Sequence, residues 1–278
     1  MQLHEDKFEL LSYRMPRNKI FTDALPFMQD ITCYTTPAGI KIEHTPVVRD
    51  LGVYNMSEEF SWTPHINTMI DNARKIASWV LGVFKDRSRP TMLQLYKSLI
   101  RSRVEYSCPL WDPYMIHDIQ TIESIQREFT RRISGMSELT YWERLKQLDL
   151  QSLQRRRERY TIIHVWKLIN NICPNDINME FKEHPRLGIR AVIPTLNTQA
   201  TKAASTLYDN SFAVKAAKLW NILPKHITCN NQLDSFKASL GKFLKSVPDN
   251  PPVTGYSTVN SNSILDWHNQ KGGLQTAC

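Results

Sequence analysis

Arginine and lysine side chains cluster on predicted helices, and they are the residues of this 278-residue chain with the clearest chemical potential. Guanidinium groups match phosphate oxygens, and several acting together give nucleic-acid affinity that depends on salt. The sequence therefore predicts a surface that follows a phosphate backbone. The candidate binding residues are Arg74, Lys75, Lys97, Arg101, Arg103, Arg127, Arg131, Arg132, Arg155 and Arg156.

Neighbouring side chains leave a second interpretation open, in which these cations only form solvated helix faces. The local acidic partners would then be Glu123, Glu128, Glu143 and Glu158. Four tyrosines lie among the cations and could stack on bases, although tyrosines at helical spacing usually belong to a core; they are Tyr96, Tyr106, Tyr141 and Tyr160. The run QRRRERY places cations early in a predicted helix, against its dipole, which predicts either an external anion or nearby acidic groups.

Catalytic motifs are missing from the sequence. It contains no phosphate-binding loop, no GxSxG, no HExxH and no adjacent aspartates. The histidines do not pair at metal-ligand spacing, and the five cysteines are scattered without a CxxC pair. We therefore predict no catalytic residue, no metal site and no cofactor. This cysteine usage favours a reducing compartment, the cytoplasm or the nucleus.

The charge balance narrows the classes of partner. A net charge of +8 and an isoelectric point near 9.2 favour polyanions. The sequence has no run of eighteen apolar residues, so no membrane span is predicted.

Two facing helical patterns must position most of the candidate cations. Each places apolar residues at three- and four-residue steps, so that they share one face. The first stripe is Leu93, Tyr96, Leu99, Ile100 and Val104, and the second is Ile119, Ile122, Ile125, Phe129 and Ile133. Pro109 and Pro113 interrupt the chain between them, and Trp111 is predicted to fill the elbow. The result is an αα-hairpin with arginines on its outside.

The remaining patterns predict a mainly α protein: a helical bundle with a small N-terminal β patch and a disordered C-terminal tail. Strands are expected at 7–14, in a hairpin over 31–44, and in VVRDLGVYN. We expect four regions: β strands over 1–60, a helical bundle over 61–172, a second helical region over 173–247, and the tail over 248–278.

The order of the motifs resembles the C-terminal part of jockey-like non-LTR retrotransposon reverse transcriptases, over about residues 5–250. The resemblance is carried by the whole series of motifs rather than by any one of them. The series is KFELLSY, VVRDLGVYNMSEEFSWTPHI, LIRSRVEYSCPLWDP, IESIQREFTRRISG, YWERLKQLDLQSLQRRRERY, AAKLWNILP and FKASLGKFL.

The resemblance implies that the chain corresponds to the last palm strands and primer-grip region, the thumb helices and the region beyond them. In that family the YxDD turn lies just upstream of the KFELL-like segment, and no YxDD occurs here. We therefore expect an inactive fragment of an RNA-directed DNA polymerase, in which Mg²⁺ would belong to the missing catalytic palm. Its partners would be template–primer RNA or DNA and a separate palm and fingers segment, but no membrane. The alternatives are a helical protein-interaction scaffold and a decayed mobile-element product without selected activity.

Overall fold

The computed structural model describes residues 8–11, 34–36, 38–54, 61–195, 202–251 and 262–275, with backbone alone for 202–204 and 270–275. It is mainly helical with small two-stranded sheets, which confirms the predicted fold class. The chain forms two compact units, residues 1–69 and 70–278. Within the described residues, no helix is both long enough and apolar enough to cross a membrane.

The N-terminal unit contains the predicted β patch. A turn at Gly39, with φ +83°, reverses the chain between the bridged residues Thr35 and Lys41, as the hairpin prediction required. Strands β1 (Arg49–Asp50) and β2 (Val53–Tyr54) replace the single strand predicted for VVRDLGVYN. The reason is a two-residue turn at Leu51 and Gly52, both at positive φ. The predicted strand 7–14 is described only at 8–11, and residues 31–33 and Pro37 lie outside the described residues.

The predicted αα-hairpin is present in the second unit. After α1 (Thr63–Val83), helix α2 (Arg89–Leu95) continues through a π-helical segment (Tyr96–Arg101) into α3 (Ser102–Val104). The short α4 (Cys108–Trp111) forms the elbow, and α5 (Ile116–Thr130) returns. Tyr96 stacks on Phe129 with ring centroids 5.4 Å apart. Trp111 is fully buried and donates its indole N–H to the Tyr106 carbonyl, so it fills the elbow as predicted.

Helices α6 (Tyr141–Gln147) and α7 (Leu153–Ile169) follow the hairpin. Thr140 and Glu143 form a capping box at the start of α6, at the three-residue spacing that this motif requires. Ser152 caps α7 by accepting a hydrogen bond from the Arg155 amide at 3.1 Å. Helix α7 packs against α4 and α5 and also against the helices that follow it. It therefore joins the hairpin to the C-terminal helices.

The C-terminal region surrounds a second apolar cluster. Strands β3 (Phe181–His184) and β4 (Gly188–Ala191) pair antiparallel, and helices α8 (Lys202–Asp209), α9 (Phe212–Asn221), α10 (Lys225–Thr228) and α11 (Leu233–Ser246) follow. Phe236 stacks on Trp166 of α7 at 5.4 Å. Leu240 and Leu244 are buried beside Phe236, because their four-residue spacing places all three on one side of α11.

The tail predicted to be disordered includes ordered segments. Helix α12 (Ile264–Gln275) follows residues 252–261, which lie outside the described residues. The Ile264 side chain is fully buried in the second apolar cluster. The Asp249 carboxylate accepts hydrogen bonds from the Ser152 amide and hydroxyl at 2.8 and 2.6 Å. The polar composition of this stretch concealed these contacts, because they are made with a helix nearly 100 residues earlier in the sequence.

Candidate nucleic-acid interface

The end of α5 carries the best-placed group of cations. The buried residues Ile125, Phe129 and Ile133 hold the inner side of this segment. Arg131 and Arg132 are consequently exposed, and Arg127 is half-buried. The Ser134 amide donates to the Arg87 carbonyl at 2.9 Å, which ties this end of α5 to the start of α2. The exposed Arg89 at that start donates to Gln147 at 3.1 Å.

We call the group Arg89, Arg127, Arg131 and Arg132 the hairpin-end surface. Among the ion pairs of the described residues, none involves these four side chains. Sequence reasoning missed Arg89, because it stands beside Pro90 at a helix start and outside the arginine runs. The end of α5 therefore presents positive charge that the described part of the chain does not neutralise.

A pocket of about 350 Å³ opens beside this surface. Its lining includes three arginines, Arg127, Arg131 and Arg144. Apolar atoms come from Leu139 and Trp142. Arg144 is only 4% exposed, and its guanidinium donates to three uncharged oxygens of Thr130, Leu139 and Arg127. Burial lowers the pKa of Arg144, and the nearby positive charges of Arg131 and Arg127 lower it further. Sequence reasoning missed Arg144 because its burial depends on tertiary packing.

The other candidates on the hairpin lie apart from this surface. Lys97 and Arg103 are exposed. Arg101 is half-buried, with its Nε 3.8 Å from a Glu105 carboxylate oxygen. Because α2 begins where α5 ends, the antiparallel hairpin places Arg103 toward the elbow and away from Arg131. The hairpin cations therefore form two groups rather than one.

The two candidates on α1 differ from each other. Arg74 donates to the Ser124 hydroxyl at 3.0 Å and lies 3.6 Å from Glu128 and 3.8 Å from Asp71. Its charge is thus shared with two carboxylates on the protein surface. Lys75 is exposed, and no ion pair of the described residues involves it. Of the two, Lys75 is the better placed for an external phosphate.

The prediction that Arg155 binds phosphate is wrong. Its side chain is 1% exposed and donates to the Pro248 and Asn262 carbonyls at 2.9 and 3.2 Å. Its Nε lies 3.7 Å from the buried carboxylate of Glu158. Burial raises the pKa of Glu158 to about 7, although the Arg155 charge acts in the opposite direction. An external phosphate therefore has no access to this guanidinium.

Arg156 is also corrected, because an internal carboxylate occupies its guanidinium. Both Nε and Nη2 contact Glu105, the latter at 2.8 Å, and the Arg156 side chain is 16% exposed. Tyr160 donates its hydroxyl to the same carboxylate at 3.1 Å. The next arginine, Arg157, pairs with Asp112 at 2.6 Å. Neighbouring acidic groups, rather than an external anion, therefore accompany the arginines at positions 155–157.

Asp112 and Arg157 form a buried ionic cluster with Lys215. Both Arg157 and Lys215 contact the Asp112 carboxylate. Burial opposes the charge on Asp112, but Lys215 and Arg157 outweigh it and lower its pKa. Asp112 therefore acts as a structural residue at the elbow, where its carboxylate joins α7 and α9. Among the described residues, no three histidine, cysteine or acidic side chains are grouped to hold a metal ion.

The tyrosines predicted as possible base-stacking residues serve largely as core. Tyr96 is fully buried and donates to Gln126 at 2.7 Å. Tyr141 is 5% exposed and donates to the buried Glu123. Burial raises the pKa of Glu123 to about 7, while the Tyr141 hydroxyl and the Leu153 amide oppose the shift. Tyr106 is 55% exposed and is the most accessible of the four.

Comparison with protein-family models, with curated proteins and with solved structures finds no match to this chain.

Proposed function

We propose that this chain binds the sugar–phosphate backbone of nucleic acid through the hairpin-end surface, as the C-terminal part of a non-LTR retrotransposon reverse transcriptase. One observation carries the proposal. Arg89, Arg127, Arg131 and Arg132 converge on one end of a packed hairpin without a carboxylate partner among the described residues. Guanidinium groups in this arrangement suit phosphates, which would displace only water and counterions.

Salt-dependent binding tests this proposal. Affinity of the full chain for an RNA–DNA duplex is measured by fluorescence anisotropy between about 50 and about 300 mM KCl. We expect saturable binding. The logarithm of the association constant should fall steeply as the logarithm of the salt concentration rises. Replacing Arg89 and Arg132 with alanine should reduce that slope by about 2, since each phosphate contact contributes roughly one unit.

A matched control removes two exposed cations elsewhere, Lys182→Ala and Arg186→Ala near the β3–β4 turn. This variant has the same net charge as the test variant, so it should retain the wild-type slope if the hairpin-end surface makes the contacts. Equal slopes for both variants would place the contacts elsewhere. No saturable binding at low salt would reject the nucleic-acid proposal.

The same proposal predicts that the chain alone does not extend a primer. Its sequence contains no YxDD turn, and phosphoryl transfer of this kind needs convergent carboxylates that hold metal ions. The assay is extension of oligo(dT) on poly(rA) with Mg²⁺ or Mn²⁺. Metal-dependent product from purified chain would contradict the prediction.

A second candidate function, a protein-interaction module, is favoured by exposed apolar side chains at the elbow of the hairpin. They are Leu110, Tyr114, Met115 and Ile116, with 56%, 39%, 54% and 39% exposure. Grouped apolar side chains on a surface are typical of protein contacts. This function would gain support if duplex binding were absent.

A further inference from the structure

Arg144 is a buried cation whose described partners are all uncharged. Its Nε donates to the Thr130 hydroxyl at 3.2 Å, and Nη1 and Nη2 donate to the Leu139 and Arg127 carbonyls at 2.6 and 3.2 Å. A guanidinium has five N–H donors, so these three bonds leave capacity for an acceptor. Burying a charge without a counterion is unfavourable, whereas an anion bound beside it restores the balance.

The pocket that Arg144 lines contains two more arginines. Arg127 and Arg131 contribute to the same wall, and the acidic lining residues are Glu128 and Glu138. Glu128 lies 3.6 Å from the Arg74 guanidinium outside the pocket lining, which partly offsets its charge. Three cations against two acids leave the pocket positive. A single anionic group is therefore the ligand chemistry that this wall favours.

The rest of the lining combines the apolar and aromatic side chains of Leu139, Tyr141 and Trp142 with the polar residues Ser137 and Thr140. Trp142 is half-buried, and its indole N–H donates to the Pro251 carbonyl at 3.2 Å, which fixes the ring in place. Leu139 and Tyr141 complete this side of the pocket. An aromatic ring held in one orientation can stack on a nucleobase, because every base has a π face. The volume of about 350 Å³ is that of a small-molecule site.

We propose that this pocket binds one nucleotide unit, with its phosphate on Arg127, Arg131 and Arg144 and its base against Trp142 and Leu139. The inference rests on the proposed function in one respect, namely that the nucleotide belongs to the bound strand. It adds a site that holds a single unpaired nucleotide beside the surface that follows the backbone. The arginines and the apolar side chains of one pocket thereby recognise two chemically different parts of the same ligand.

Calorimetric titration of the full chain with AMP, adenosine and inorganic phosphate tests the pocket directly. We expect AMP to bind at least about tenfold more tightly than adenosine or phosphate alone, since the arginines and the apolar side chains of the pocket both contribute. Arg131→Ala should weaken AMP binding about fivefold or more. The control Arg186→Ala, at an exposed arginine near the β3–β4 turn, should change it less than about twofold, because Arg131 lines the pocket and Arg186 does not.

A second variant keeps the test decisive if Arg131→Ala disturbs the fold. Arg144→Lys retains the positive charge but loses the planar fork, so it should also weaken AMP binding while thermal unfolding stays cooperative. Equal affinity for AMP and phosphate would overturn the proposal, as would equal effects of the Arg131 and Arg186 substitutions. Tighter binding of a phosphoserine peptide than of AMP would also overturn it.

The two proposals fail in different ways. Loss of AMP binding with an intact salt slope for duplex would reject the pocket alone. Retained AMP binding that is sensitive to Arg131→Ala, without any duplex affinity, would reject the backbone surface and leave a site for free nucleotides.

Discussion

The arginines of α7 and those at the end of α5 look alike in sequence and have opposite environments in the structure. Arg155 and Arg157 are each 1% exposed and lie beside Glu158 and Asp112. Arg131 and Arg132 are exposed, and none of the ion pairs of the described residues involves them. The first group therefore has its anions within the protein, and the second has its charge available to an external anion. An arginine run indicates that an anion lies nearby, but it does not show whether that anion is a carboxylate of the protein or part of a ligand.

The largest expected effect comes from breaking an internal pair on α7. Asp112→Ala leaves Arg157 and Lys215 without their shared carboxylate, and losing one partner of a buried pair costs about 3–5 kcal/mol of unfolding free energy. The measurement is urea unfolding followed by circular dichroism. Asp209→Ala is the control, because its pair with Lys218 is 3.0 Å long but exposed and should cost less than about 1 kcal/mol. Similar losses for both variants would remove the contrast between internal and surface pairs.

An effect of intermediate size is expected from pH, through Glu123 of α5, whose carboxylate accepts a hydrogen bond from the Leu153 amide at the start of α7. Its folded pKa of about 7 exceeds the ordinary value of 4.5, so the folded chain holds this proton more tightly than the unfolded chain. The stabilisation is complete below pH 4.5 and is lost as the pH rises through 7. A shift of this size is worth up to about 3 kcal/mol.

Urea unfolding at several pH values between about 5 and about 8 measures this loss. Glu123→Gln should flatten the decline, and what remains would come largely from Glu158, whose pKa is also raised to about 7. Glu128→Gln, at an exposed carboxylate on the same helix, should leave the decline unchanged. An identical pH profile for wild type and Glu123→Gln would contradict the prediction.

The smallest expected effect concerns the exposed arginines at the end of α5. Arg132→Ala should change the unfolding free energy by less than about 0.5 kcal/mol, because exposed side chains without specific contacts contribute little to stability. The same unfolding assay provides the value. A loss of about 2 kcal/mol or more, as expected for a buried network, would show that this arginine is structural and would remove it from the hairpin-end surface.

The helical elements followed from local patterns. The stripes of the αα-hairpin were predicted, and the capping box at Thr140 and the buried side of α11 obey the same local rules, since each depends on residues a few positions apart. The candidate site was predicted less well. Arg131 and Arg132 are exposed, as a phosphate contact requires, and their binding role stays a prediction. Arg155 and Arg156 were assigned to the wrong environment, and Arg144 was missed. The correction for Arg155 and Arg156 depends on contacts with residues 51 to 107 positions away, which local patterns do not reveal.

The sequence by itself determined where most helices begin and which sides they bury, because helical periodicity and capping act within a few residues. Only the tertiary structure decided which cations meet an acid. Arg156 and Glu105 are 51 positions apart, and Lys215 and Asp112 are 103 apart. Periodicity places an arginine on one side of a helix, but the path of the whole chain determines whether that side meets a carboxylate or water.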